Sequence, residues 1–181
     1  MKSIEIKNFI QPPEIVEIDR PVIFLAGPIQ GADDWQSQAE KNIHELNPNI
    51  IVASPRFNYP EGTFVYEKQV DWETHFLNEA GRAGVIAFWL AAQDYETSGR
   101  SYAQTTRFEL AEWKMRHQYE GVKMIVGIEE GFGNARYIRR RFGQDVSDVP
   151  IVDTLEDLCG GAVEMLDEAT NGWFERFILV P

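Results

Sequence analysis

One cysteine, Cys159, is all that this 181-residue chain carries. A single thiol excludes an intramolecular disulfide and a cysteine-based metal cluster. Basic residues are scarce as well: 17 Lys plus Arg against 29 Asp plus Glu leave a formal charge of −12. A chain that acidic is ill suited to a nucleic-acid polymer, where affinity rests on clustered cations, although a small ligand needs only a few local donors. No apolar run approaches the ~18 residues of a membrane span. Met1-Lys2-Ser3-Ile4-Glu5-Ile6-Lys7 breaks every apolar pair with charge, so it does not read as a signal peptide. The expected compartment is the cytoplasm, with no membrane partner. Two nucleotide-binding signatures are missing too. There is no G-x-x-x-x-G-K-[ST] loop, and no G-x-G-x-x-G follows the first long apolar run; Gly131-Phe132-Gly133 is too short and misplaced.

What is present is globular. Hydrophobic residues make up 44% and charged residues 25%, which excludes disorder, and the length suits one domain over 1–181. Residues 1–19 read as an N-terminal arm, with short edge strands at Ile4/Ile6 and at Ile15 to Ile18 around the Pro12-Pro13 break. Four continuous apolar runs follow: Val22 to Ala26, Ile50 to Ala53, Val85 to Leu90 and Val122 to Ile128. Such runs suit strands buried on both faces.

Between them lie helical periodicities. Asp33 or Asp34 can cap a helix in which Trp35, Ala39, Ile43 and Leu46 fall at helical spacing. A second helix spans about Glu67 to Ala83, after a loop over 54–66. A third carries Phe108, Ala111 and Met115 on one face, taken as inward, and a last one starts after Asp153. Phe177 to Val180 is a candidate final strand. Alternating strands and helices argue for an α/β fold, a mostly parallel sheet of about five strands covered by helices on both faces.

Parallel sheets of this kind bind ligands at the carboxyl ends of their strands. The first such end holds Gly27-Pro28-Ile29, the second Ser54 to Asn58, and the third a loop through Ser98, Gly99 and Arg100 that leads to Arg107 and Glu109. Gly27-Pro28 either ends a strand or touches ligand. Ser98-Gly99 either contacts a ribose 5′ group or forms a surface turn. Phe57 and Tyr59 offer faces for a base, whereas Trp89 lies in an apolar run and reads as core. His44, His75 and His117 sit on separate helices without ligand spacing, so no metal site is expected. Glu109, near the start of its helix, is either an ordinary first-turn glutamate or an anion stabilised by the helix terminus and Arg107. Arg136, Arg139, Arg140 and Arg141 read as partners of carboxylates at a subunit contact.

Three blocks in order carry a resemblance. Val22-Ile23-Phe24-Leu25-Ala26-Gly27-Pro28-Ile29 with Asp34-Trp35-Gln36 resembles the opening of the nucleoside 2-deoxyribosyltransferase family. The likeness continues through Gln69-Val70-Asp71-Trp72-Glu73, Ala80 to Leu90, and Arg107-Phe108-Glu109-Leu110-Ala111-Glu112-Trp113, covering residues 22 to about 142. It implies a flavodoxin-like three-layer sandwich and glycosyl transfer between nucleobases without a cofactor, with Glu109 as the nucleophile that forms a glycosyl-enzyme intermediate. Small-molecule nucleoside and nucleobase are the implied partners.

The substrate-binding set expected from these loops is Gly27, Pro28, Ile29, Phe57, Ser98, Gly99, Arg100 and Arg107. The chain departs from the family in three places. Glu96-Thr97 precedes Ser98-Gly99 where many members have an aspartate, the loop is longer, and Gly84 stands where an aspartate often precedes the third strand. The group that protonates the leaving base is thus left open among Asp71, Glu73, Asp94 and Glu96, with Glu73 and Asp71 foremost. Two alternatives stay beside the transferase. One is a hydrolase of nucleoside 5′-monophosphates, using Ser98, Arg100 and Ser101 for phosphate. The other is a nucleotide-binding module without catalysis. Trp173, Phe174 and Phe177 suggest a homo-oligomer.

Overall fold

The backbone of β2, Val22–Ala26, is buried along its whole length, as its uninterrupted apolar sequence requires. In the computed structural model, which describes residues 8–97, 99 and 101–178 and side chains as far as 167, this strand lies inside a six-stranded sheet. The others are β1 Phe9–Ile10, β3 Ile51–Ala53, β4 Val85–Leu90, β5 Met124–Ile128 and β6 Ile151–Val152. Their order is β1-β3-β2-β4-β5-β6, and every neighbouring pair is parallel. Five helices connect them: α1 Trp35–Leu46, α2 Tyr66–Ala83, α3 Gln104–Glu120, α4 Ala135–Asp145 and α5 Leu155–Ile178. The architecture is an α/β three-layer sandwich of flavodoxin-like form, the fold expected from the sequence.

Strand alternation divides the core in two. Val22, Phe24 and Ala26 face one way and pack with Trp72 and Phe76 of α2, Leu110 and Trp113 of α3, and Phe142 of α4. Ile23 and Leu25 face the other way, onto Trp35, Ala39 and Ile43 of α1 and Leu158, Ala162 and Leu166 of α5. The chain leaves β2 through α1 to β3 on one side, then crosses by α2 to β4 on the other. The carboxyl ends of β2 and β4 therefore flank the topological switch point, where ligands of open α/β sheets bind.

Four sequence expectations need correction. Ile15 to Ile18 form no strand: Ile15 and Val16 are exposed, and the Glu14 carbonyl accepts a hydrogen bond (3.0 Å) from the Trp72 indole rather than a ladder bond. The pairing segment is Phe9–Ile10, whose carbonyl neighbours hold β3 through Val52 N–H to Asn8 and Ser54 N–H to Ile10. Ile4 and Ile6 lie outside the described residues. The sheet has six strands rather than about five, because β1 and β6 have two residues each, too short to register as apolar runs. Phe177 and Ile178 continue α5 instead of starting a strand, and Leu179 and Val180 are outside the described residues.

The fourth correction concerns α3, where Phe108 is 72% exposed and Met115 44%, while Leu110 and Trp113 are buried. Both stripes are apolar, so periodicity alone does not choose between them. The choice is made by Gly81 of α2, where an added Cβ would stand 2.5 Å from the Trp113 ring. A notch in α2 receives the largest side chain of α3.

Candidate active site

The two switch-point loops are built around close backbone approaches. At Gly27 a Cβ would lie 2.3 Å from the Trp89 carbonyl oxygen and 2.6 Å from the Trp35 ring. Pro28 is buried, and its carbonyl accepts from the Trp35 indole at 2.9 Å. Asp34 caps α1, accepting from the Ser37 N–H and hydroxyl. Arg56, after β3, donates to the carbonyls of Ile29, Ala32 and Asp33 and to Gln36, and pairs with Asp34 at 3.3 Å. It is consumed in shaping the loop after β2. That loop is also tied to the one after β4, through Asp94 N–H to the Gly31 carbonyl at 2.8 Å. The Tyr102 hydroxyl donates to the carbonyls of Ala91 and Ala92.

On the α1–α5 side of this edge lies a cleft of about 410 Å³, lined by Asp33, Asp34, Trp35, Gln38, Trp89, Ala91, Ala92, Gln93, Asp94, Glu129 and Leu155. Its volume is in the range of small-ligand sites. Among the described residues four carboxylates and no cation line it, a lining that does not suit a phosphate. None of the described residues expected to bind substrate lines it. Asp94 does, and Trp89, 4% exposed, supplies a wall from the core.

The expected catalytic glutamates stand on the opposite, α2–α3 side. Glu109 stands in the second turn of α3 and Glu73 at the start of the third turn of α2, both helices running from the carboxyl edge of the sheet. Each carboxyl is partly buried. Burial first, then the charges of Glu73 and Glu112, push the Glu109 carboxyl up to about 8. The sequence-based choice between an ordinary first-turn glutamate and an anion favoured by its surroundings fails on both sides. Glu109 lies beyond the first turn, which has no acidic residue, and its surroundings favour the protonated form. Arg107 gives it no support, since its guanidinium stacks 4.4 Å over Phe132 and donates to the Gly133 carbonyl at 2.9 Å.

Burial also raises Glu73, but a hydrogen bond from Gln69 opposes the rise. Gln69 Nε2 donates to Glu73 Oε1 (2.7 Å) and to the Pro55 carbonyl (2.9 Å), while Gln69 Oε1 accepts from the Tyr59 hydroxyl (2.7 Å). Phe57 joins the edge of this group through an edge-on contact with Tyr59 (4.9 Å), with Phe64 beyond it. Gln69 and Tyr59 are thus part of the site although the reading of the sequence gave Gln69 no role. The available signal was its i, i+4 spacing to Glu73 on one helix face.

Asp71 is exposed and two residues from Glu73, so α2 turns it to a different face. Gly99 lies in an exposed turn at φ +79° with open space around it, and Ser98 and Arg100 fall outside the described residues. The missing aspartate at Gly84 has a steric cause, because a Cβ there would lie 2.0 Å from the Val22 carbonyl oxygen. The histidines are engaged locally: His44 with Glu40 and the Ile50 carbonyl, His117 with the Val122 carbonyl and Asp148, and His75 edge-on to Phe76. Among the described residues no cluster of His, Cys, Asp and Glu is placed to hold a metal ion, and no helix is long and apolar enough to cross a membrane. Arg139 pairs with Asp153 and Arg141 with Asp145, both within the chain. No protein-family model matches this sequence, and no curated protein matches it.

Proposed function

We propose that this protein cleaves the N-glycosidic bond of 2′-deoxynucleosides and passes the sugar to a second nucleobase. The observation that carries the reading is a pair of partly buried glutamates on adjoining helices at the carboxyl edge of a parallel sheet, with unequal tendencies to ionise. Glycosidic chemistry needs such a pair, one carboxylate to meet the anomeric carbon and one protonated group for the leaving atom. The sequence resemblance adds the direction. Glu109 is the nucleophile: its oxygen bonds to C1′ as the C1′–N bond breaks, the bonding electrons pass to the base nitrogen, and a proton neutralises the base. A second base then attacks C1′, breaks the ester to Glu109 and gives up its own proton, so configuration is retained. Glu73, whose charge bears on Glu109, is the group through which that proton is relayed. Phe57 and Tyr59 offer aromatic edges beside Glu73 for the base.

A homo-oligomer accompanies this reading. Phe108, Met115 and Tyr119 form an outward apolar stripe on α3, and Tyr66 and Val70 of α2 are exposed as well. A stripe of that size on an acidic chain is best covered by a second copy. The deciding experiment incubates the protein with deoxyinosine, with and without adenine, and separates the products. Deoxyadenosine formed only with adenine supports transfer. Free deoxyribose alone indicates hydrolysis, and unchanged substrate over a range of pH overturns the enzyme reading.

A further inference from the structure

The Gln69 side chain has both its amide N–H donors committed and its oxygen engaged. Its oxygen takes the Tyr59 hydroxyl and its amide nitrogen faces two acceptors, the Pro55 carbonyl and Glu73. The Pro55 carbonyl has no proton to give, so the amide cannot flip without setting two oxygens against each other. Glu73 therefore meets a group that only donates. A carboxylate accepts that bond as an anion, and a carboxylic acid gains less from it.

Glu109 has no matching donor: no side chain among the described residues donates a hydrogen bond to it. The titratable groups that bear on the pair are Tyr59 from the loop after β3, whose phenol is raised by burial and by the charge of Glu73, and Glu112 from α3, whose charge, like that of Glu73, disfavours ionisation of Glu109.

We propose that Gln69 is a positioning residue: pinned by the Pro55 carbonyl and the Tyr59 hydroxyl, it fixes Glu73 as the standing anion of the Glu73–Glu109 pair, so that the pair's single proton rests on Glu109. The meaning of this for catalysis rests on the function proposed above. Glu109 is then a masked nucleophile in the resting protein, released when bound substrate or rising pH takes its proton. Gln69 restrains activity near neutral pH instead of promoting it, the opposite of what a merely structural glutamine does.

The test follows the protons themselves. Protein labelled with ¹³C at glutamate side-chain carboxyls is titrated by NMR, and the two signals are assigned with Glu109→Gln and Glu73→Gln. The expected result is a Glu109 midpoint well above that of Glu73. In Gln69→Leu the Glu109 midpoint should fall by at least one pH unit and the Glu73 midpoint should rise. Tyr59→Phe, which leaves Gln69 held only by Pro55, should move both in the same directions by less. It serves alone if Gln69→Leu fails to fold. Unmoved midpoints in a folded variant, or a wild-type Glu73 midpoint above that of Glu109, overturn the proposal. Because the readout is titration, absence of turnover sinks the proposed function and leaves this test intact.

Discussion

Replacing Glu109 by Gln should make the protein more stable, and increasingly so as pH rises. The neutral amide keeps the shape of the protonated carboxyl and cannot ionise. In the native chain Glu109 is held up to about 8 against an ordinary 4.5, so the folded state binds more protons than the unfolded one between those values. Stability must then fall as pH climbs through that window, the reverse of a salt-bridged carboxylate. At about 1.4 kcal/mol per pH unit, the displacement from 4.5 to about 8 caps the penalty at about 5 kcal/mol. Water reaching a partly exposed carboxyl reduces that to roughly 2–3 kcal/mol. For a chain of this size the variant should melt roughly 5–10 °C above the wild type at pH 8.5 and within about 2 °C of it at pH 4.5. Thermal and urea unfolding of both proteins at the two pH values provide the measurement. A gap of equal size at both, or a variant less stable at pH 8.5, would refute the reasoning that burial and Glu73 keep Glu109 protonated.

Catalytic efficiency on deoxynucleosides should rise about tenfold per pH unit below about 8, since the nucleophile must ionise. Glu73→Gln should move that limb to lower pH, and a pH-independent profile from 6 to 9 in the wild type contradicts the assignment. Trp72→Ala removes a fully buried indole that packs on Phe76 at 4.6 Å and bonds the Glu14 carbonyl. It should cost ~3–5 kcal/mol in urea unfolding. Limited proteolysis should cut the N-terminal arm of that variant faster, and unchanged cleavage argues against the indole as its tether. Gly84→Ala should destabilise the protein by at least the ~1–3 kcal/mol typical of overpacking, because its Cβ meets the Val22 backbone; a stable, soluble variant refutes the steric account of the missing aspartate. Cys159, buried and pushed up to about 12, should resist thiol reagents until the chain unfolds.

The sheet was legible because its central strands are apolar at every position, a pattern that follows from burial on both faces. Val22 to Ala26 and Val85 to Leu90 needed no tertiary information. The edges did not announce themselves, since Phe9–Ile10 and Ile151–Val152 are strands by virtue of their neighbours, β3 and β5. The helix faces were legible where only one stripe is apolar, as in α1, and misread in α3 where two are. There the deciding fact, room for Trp113 at Gly81, lies on another element. In the candidate site, position left the role of Glu109 open and only the family resemblance singled it out, with Glu73 one of four carboxylates that could protonate the base. Their protonation did not follow, because burial and a neighbouring charge outweigh position within a helix. Arg107, next but one to Glu109, seemed its natural partner until α3 turned that side chain toward Phe132 and Gly133. Gln69 escaped notice because a glutamine gains chemical meaning only from what fixes its amide.

The charge of the chain and the state of the pair bear on the same choice of substrate. Departure of a base from C1′ leaves positive charge on the sugar, so a carboxylate facing it stabilises the transition state more than the ground state. Glu73 as a standing anion, and Glu109 once ionised, supply that field from the α2–α3 side. Asp33, Asp34, Asp94 and Glu129 add the same sign around the cleft on the other side of the edge. Such an arrangement attracts developing cations and repels a 5′-phosphate dianion, both at close range and through the net −12 of the whole chain. The described cations nearest the switch point do not offset it. Arg56 is spent on the loop carbonyls and Asp34, and Arg107 on Gly133. In the reaction proposed above, an uncharged deoxynucleoside would enter this field without penalty and become cationic only as it reacts, which is where the field would act.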